Sequence, residues 1–307
     1  MKKYKNAFSV IKNAGAGFID DNCFKLSASL SYYTIFAMGP LFIIVISLVG
    51  LFFGREAVEG RIYFQLNDLI GSQAALQIQE IIKNIQQTQA STTGAIVGTV
   101  VLIIGATGVF TEMQDSINYI WSVKAKPKKS WLKFLINRAL SFSLIVSLGF
   151  LLLVSLIIST LLNLLSDKLD DFFPNFPIEL FQYLSSGITL VVITALFMVI
   201  YKVLPDAVIS WKDAAIGSVV TAVLFMGGKY LIGLYMGRSN LGVTYGAAAS
   251  IIIVLSWVYY SALILYFGAE FTKMYALHAG EGIRPKQTAV FIIKRESKEV
   301  PTSYLDT

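Results

Sequence analysis

Glu270 ends a series of side chains that could handle charge inside a membrane. Ser256, Tyr259, Leu263, Tyr266 and Glu270 recur at steps of three and four, which puts them on one face of a helix. Hydroxyls leading to a carboxylate could bind a cation, a lipid amine or a proton. The same carboxylate could instead pair with Lys273 at the helix end. Glu112 and Asp115 stand three apart, with Tyr119 just beyond. They could share a proton or cation and meet Glu270 or the basic tail, or form a surface that faces lysines. Lys229 lies seven residues from the outer end of its apolar run, about 10 Å in by helical rise. It either snorkels outward or lines an outward cavity fit for a phosphate headgroup, with Tyr235, Arg238 and Tyr245 extending the path.

The element that must carry Glu270 runs uncharged for 24 residues, from Gly246 to Ala269. At helical rise that is about 36 Å, enough to cross a hydrocarbon core of about 30 Å. Its first turn, Gly246 to Ser250, is built of small residues that let another helix approach closely. Five further runs read as spans, at about residues 30–53, 94–110, 139–162, 187–204 and 214–236, with the last at 246–269. Pro40 kinks or splits the first. Between the first two, residues 55–92 keep apolar side chains at helical spacing and read as an extracytoplasmic amphipathic segment broken at Gly71-Ser72.

Composition agrees. Hydrophobic residues make up 55% of 307 and charged ones 14%, against about 25% charged in soluble domains; mean hydropathy is +0.66. The apolar runs are too long for the alternating ten-residue strands of a β-barrel. The expected fold is therefore all-α, a polytopic integral membrane protein with six transmembrane helices. Residues 1–25 read as an amphipathic lead-in on the cytoplasmic leaflet, in which Asp20 and Asp21 cap the first span. Those residues have no apolar core of a signal peptide. Residues 280–307 read as a polar tail, disordered at its end and with no further domain.

The charge of +6 is unevenly placed. With the N-terminus inside, nineteen Lys and Arg fall on the cytoplasmic side and five outside, a strong positive-inside bias. The basic stretch at residues 124–138 needs no nucleic-acid partner to explain it. A single cysteine, Cys23, excludes an intramolecular disulfide, and a single histidine, His278, excludes a histidine cluster. No G-x-x-x-x-G-K-[ST] loop is present, so no P-loop ATPase is expected.

TYGAAASIIIVLSWVYYSALILYFGAEFTKMYA, SLSYYTIFAMGPLFIIVISL and the NYIW after the second span together resemble the YihY/BrkB family of bacterial inner-membrane proteins, over roughly residues 10–280. Gly39 before Pro40 departs from the apolar residue usual in that family. The resemblance implies a six-span helical fold in the bacterial cytoplasmic membrane, and it places Glu270 in the family's G-A-E-F motif. The activities suggested for such proteins are transport of lipids or envelope components, ion exchange and serum resistance, and some relatives carry a ribonuclease label. That label demands clustered carboxylates or histidines on a soluble face, or a histidine pair for acid–base work, whereas the single histidine, His278, is isolated and no H-x-H-x-D-H run is present.

The expected function is movement of a lipid-like or amphiphilic envelope molecule, without an enzyme activity, cofactor or metal. A cation/proton exchanger and a non-transporting scaffold are the alternatives. Membrane lipids and an amphiphilic or ionic substrate are the expected partners, nucleic acid is not, and the oligomeric state is not legible.

Overall fold

The computed structural model describes residues 2–37, 75–76, 79, 108–126, 178–238 and 249–294. Residues 38–53 of the expected span at 30–53, Pro40 included, residues 94–107 of that at 94–110, the whole of that at 139–162, nearly all of segment 55–92, Tyr245 and the chain beyond residue 294 lie outside them. The described chain is mostly helical, with α1 (Lys2–Asp20), α2 (residues 23–37), α3 (residues 108–120), α4 (Ile178–Val203), α5 (Trp211–Arg238) and α6 (Ala249–His278). Among the described residues, three stretches are long and apolar enough to cross a membrane: Ser186–Val203, Trp211–Tyr235 and Ile251–His278.

Helix boundaries follow local chemistry. Val10, Ala14 and Phe18 recur every four residues and bury one face of α1 against α6. The helix stops where Asn22 takes a left-handed φ of 52°, which asparagine tolerates better than most residues. Its carbonyl then receives the Lys25 N–H at 2.9 Å to start α2. α4 ends before Pro205, which has no N–H to continue a ladder. α5 starts with Ser210 as its cap, whose Oγ accepts the Asp213 N–H at 3.1 Å. Asp213 then suits the positive end of the helix dipole.

α5 and α6 lie antiparallel and touch through glycines. Gly217 faces the Thr272 side chain, Gly268 faces Thr221 and the Tyr201 hydroxyl, and Gly228 faces the Tyr260 hydroxyl. Tyr201, from α4, donates to Leu265 O at 2.8 Å and lies 3.1 Å from Thr221 Oγ1. The Tyr201, Thr221 and Thr272 hydroxyls in this seam are thus partnered, as an apolar surround demands.

The all-α expectation needs one amendment. β1 (Val123–Ala125) pairs antiparallel with β4 (Ala289–Phe291), and β2 (Ala207–Val208) with β3 (Arg284–Pro285). Residues 284–294 are thus not a loose tail: they are stitched to the segments after α3 and after α4. The lead-in is likewise no mere surface helix, since α1 packs into the bundle.

Candidate functional site

Glu270 lies eight residues before the end of α6, about 12 Å by helical rise. It is fully buried. The uncharged run ends at Ala269, yet the helix continues, because Lys273 stands one turn on with Nζ 3.1 Å from Glu270 Oε2. The same ammonium lies 3.4 Å from Asp21 Oδ2. Asp21 sits in the turn between α1 and α2, and Lys294 closes on its Oδ2 at 2.5 Å. Glu270 and Asp21 also come within hydrogen-bonding reach of each other. Two carboxylates and two ammonium groups from the N-terminal turn, α6 and the tail thus form one compensated cluster.

Close approach of α1 depends on Gly17. A Cβ there would stand 2.9 Å from Glu270 Oε2 and 3.1 Å from its Cδ. Trp121, just after α3, donates its Nε1–H to Ala269 O at 3.0 Å. The Lys294 ammonium also rests 4.3 Å over the Tyr119 ring, a cation–π contact. Burial pushes the Asp21 carboxyl up, but the hydrogen bonds with Glu270 and Lys294 and the nearby ammonium charges outweigh it and leave it below its ordinary value. Burial pushes the Cys23 thiol up to about 12 and holds the Lys294 ammonium below its ordinary value.

Of the face read from sequence, Tyr266 and Glu270 are buried, while Ser256 and Tyr259 are half-buried and outside the cluster. Tyr266 has Ser116 and Glu112 as its polar neighbours. Glu112 is half-buried, whereas Asp115 is exposed between the buried Gln114 and Ser116. Three residues turn a helix by about 300°, enough to split them across the edge of a buried face. It is Asp21, and not Glu112 or Asp115, that meets Glu270. Lys229 is half-buried beside Gly228, where Tyr260, and not Tyr259, crosses to α5. Tyr235 is exposed.

Asp21 is the largest departure from the sequence reading, which made it a helix cap. Its carboxylate serves Lys273 and Lys294, 252 and 273 residues away. Local pattern cannot show such partners. The small-residue run Ala14-Gly15-Ala16-Gly17 was the available signal that something must approach α1 closely. A second long-range lock was equally invisible: Asn118 Nδ2 donates to Asp206 Oδ2 at 2.9 Å, and Asp206 N–H returns to Asn118 Oδ1 at 2.8 Å. Among the described residues no group of His, Cys, Asp and Glu could hold a metal ion.

Apolar helices of spanning length, with a charge-compensated cluster beside the end of one, define a helical membrane protein. Residues 14–291 match the family described as Virulence factor BrkB, and the chain belongs to that family. It is similar to curated UPF0761 membrane proteins: one from Chromobacterium violaceum at 27% identity, covering 85% of this chain and 60% of the relative. Others are from Saccharophagus degradans at 29%, covering 84% and 58%, and from Azotobacter vinelandii at 30%, covering 82% and 60%. The chain thus spans about three-fifths of these relatives' length. No solved structure matches it.

Proposed function

We propose that this protein moves a lipid-like or amphiphilic envelope molecule across or within the bacterial cytoplasmic membrane, as a six-span protein with both termini inside and no enzymatic step. The observation that carries this reading is the buried cluster of Glu270, Asp21, Lys273 and Lys294. A buried ion network is a poor source of stability compared with apolar packing of the same volume. It suits an element that must open, because the N-terminal turn, α6 and the tail meet there from three separate segments of the chain. The cluster would act as a cytoplasmic gate to a pathway along α5 and α6.

The test is lipid movement in proteoliposomes. Labelled phospholipid on both leaflets is bleached from outside, with Glu270→Gln and Asp21→Asn as variants. Bleaching beyond the outer-leaflet half, lost in both variants, is the expected result. Bleaching that stops at one half, with insertion verified, rejects lipid movement.

A second reading rests on the proximity of Asp21 and Glu270. Two carboxyls in mutual reach can share one proton, which would make the cluster the proton site of a cation/proton exchanger. Proton-coupled cation flux without lipid movement would favour it.

A further inference from the structure

We propose that the groove at the α4–α5 hairpin holds the phosphate headgroup of an anionic phospholipid. The groove has a volume of about 430 Å³ and is lined by Lys202, Val208, Ser210, Trp211, Glu281 and Arg284, among others. It lies where the apolar stretch Ser186–Val203 ends and the stretch Trp211–Tyr235 begins, a position that meets the membrane–water boundary when both helices cross.

Each wall has a defined origin. The β2–β3 register places Arg284 opposite Val208 and so brings a guanidinium from the tail to the hairpin. Lys202 is held in place: its Nζ donates to Ile209 O and stands 5.1 Å over the Trp211 ring. One of its three donors is used, leaving two for phosphate oxygens. Ser210 uses Oγ as an acceptor for the helix cap and keeps its own proton to donate. Lys202 and Arg284 outweigh Glu281 on the lining, and Lys212 is exposed next to Trp211.

A lipid, and not free phosphate, is the occupant because the rim is apolar. Trp211 is 60% exposed and Val208 51% exposed at the mouth. Tryptophan favours the membrane interface, and basic residues there attract anionic lipid. A headgroup held here requires only that α4 and α5 cross the membrane. It goes beyond the transport reading, and either can fail while the other stands.

The test uses the full chain in uncharged detergent micelles, titrated with phosphatidylglycerol, phosphatidylcholine or inorganic phosphate. Tryptophan emission is followed, and Trp211→Phe separates Trp211 from the other three tryptophans. A saturable Trp211 response to phosphatidylglycerol alone is expected. Arg284→Ala and Lys202→Ala should each raise the half-saturating concentration about fivefold, and Glu281→Gln should lower it. An equal response to phosphatidylcholine overturns the proposal, and saturation by inorganic phosphate alone reassigns the groove to the free anion and also overturns it. Arg284 and Glu281 are exposed, so their variants are expected to fold; unchanged affinity in both overturns it as well.

Discussion

Asp21 ties the cluster together, and its chemistry sets a pH limit. Its carboxyl is held below the ordinary value of 3.8. A depressed folded-state pKa contributes stability that is complete above the unfolded value and is lost as pH falls through the folded one. The protein is therefore expected to lose thermal stability on acidification below about pH 4, where unfolded aspartates take up protons. Asp21→Asn removes that limb and lowers stability at neutral pH by about 3 kcal/mol, because Lys273 and Lys294 lose a buried partner. Cys23 supplies the readout. It is the sole cysteine, it is fully buried, and its thiol is pushed up to about 12, so thiolate reagents should reach it only on opening. Labelling with 2,2′-dithiodipyridine, which still reacts with exposed thiols in acid, against temperature at about pH 3.5 and about pH 7 checks the prediction; equal pH dependence in the wild type and Asp21→Asn would refute it.

Between α5 and α6 the contact is set by glycines at steps that match an antiparallel crossing. At Gly268 a Cβ would stand 2.8 Å from the Thr221 methyl and closer still to two hydroxyls. Both hydroxyls are already committed, Tyr201 to Leu265 O and Thr221 to Gly217 O, so neither can turn aside without loss. Gly268→Ala is expected to cost about 1–3 kcal/mol by overpacking. Gly227→Ala meets nothing within 4 Å and should be neutral or gain up to about 1 kcal/mol of helix propensity. Thermal unfolding of the two variants side by side checks this; equal shifts would mean that the seam is not tight. The helices themselves were legible in the sequence, because a long uncharged run has few other readings. The helical spacing of Glu270 and Lys273 was legible too; the approach of Asp21 and Lys294 to that pair was not, because local pattern carries no signal for partners so distant in sequence. Strands of two or three residues carry no periodicity, so the ladders that hold residues 284–291 had no signal to read.

Those ladders constrain the path of the whole chain through the membrane. Asp21, Val123–Ala125, Ala207–Val208 and residues 284–294 are joined by β pairing and by the Lys294–Asp21 ion pair. Segments joined in this way share one side of the membrane, so the chain must cross an even number of times between each successive pair. α5 and α6 make one such pair of crossings between residues 208 and 284. α4 then requires an odd number of further crossings between residues 126 and 178, where the sequence offers 139–162. Any crossings between Asp21 and Val123 must likewise be even in number, which the two apolar runs read from sequence at 30–53 and 94–110 would satisfy. The six-span expectation satisfies this parity, and the nineteen-to-five charge count made on that topology would put the joined side in the cytoplasm. In a Cys23→Ser background, Ser166→Cys is therefore expected to react with an impermeant maleimide in cells whose outer barrier has been permeabilised. Lys298→Cys should react only after the cytoplasmic membrane is opened. The reverse pattern would invert the orientation, and reaction of both positions from the same side would break the parity and with it the six-span count.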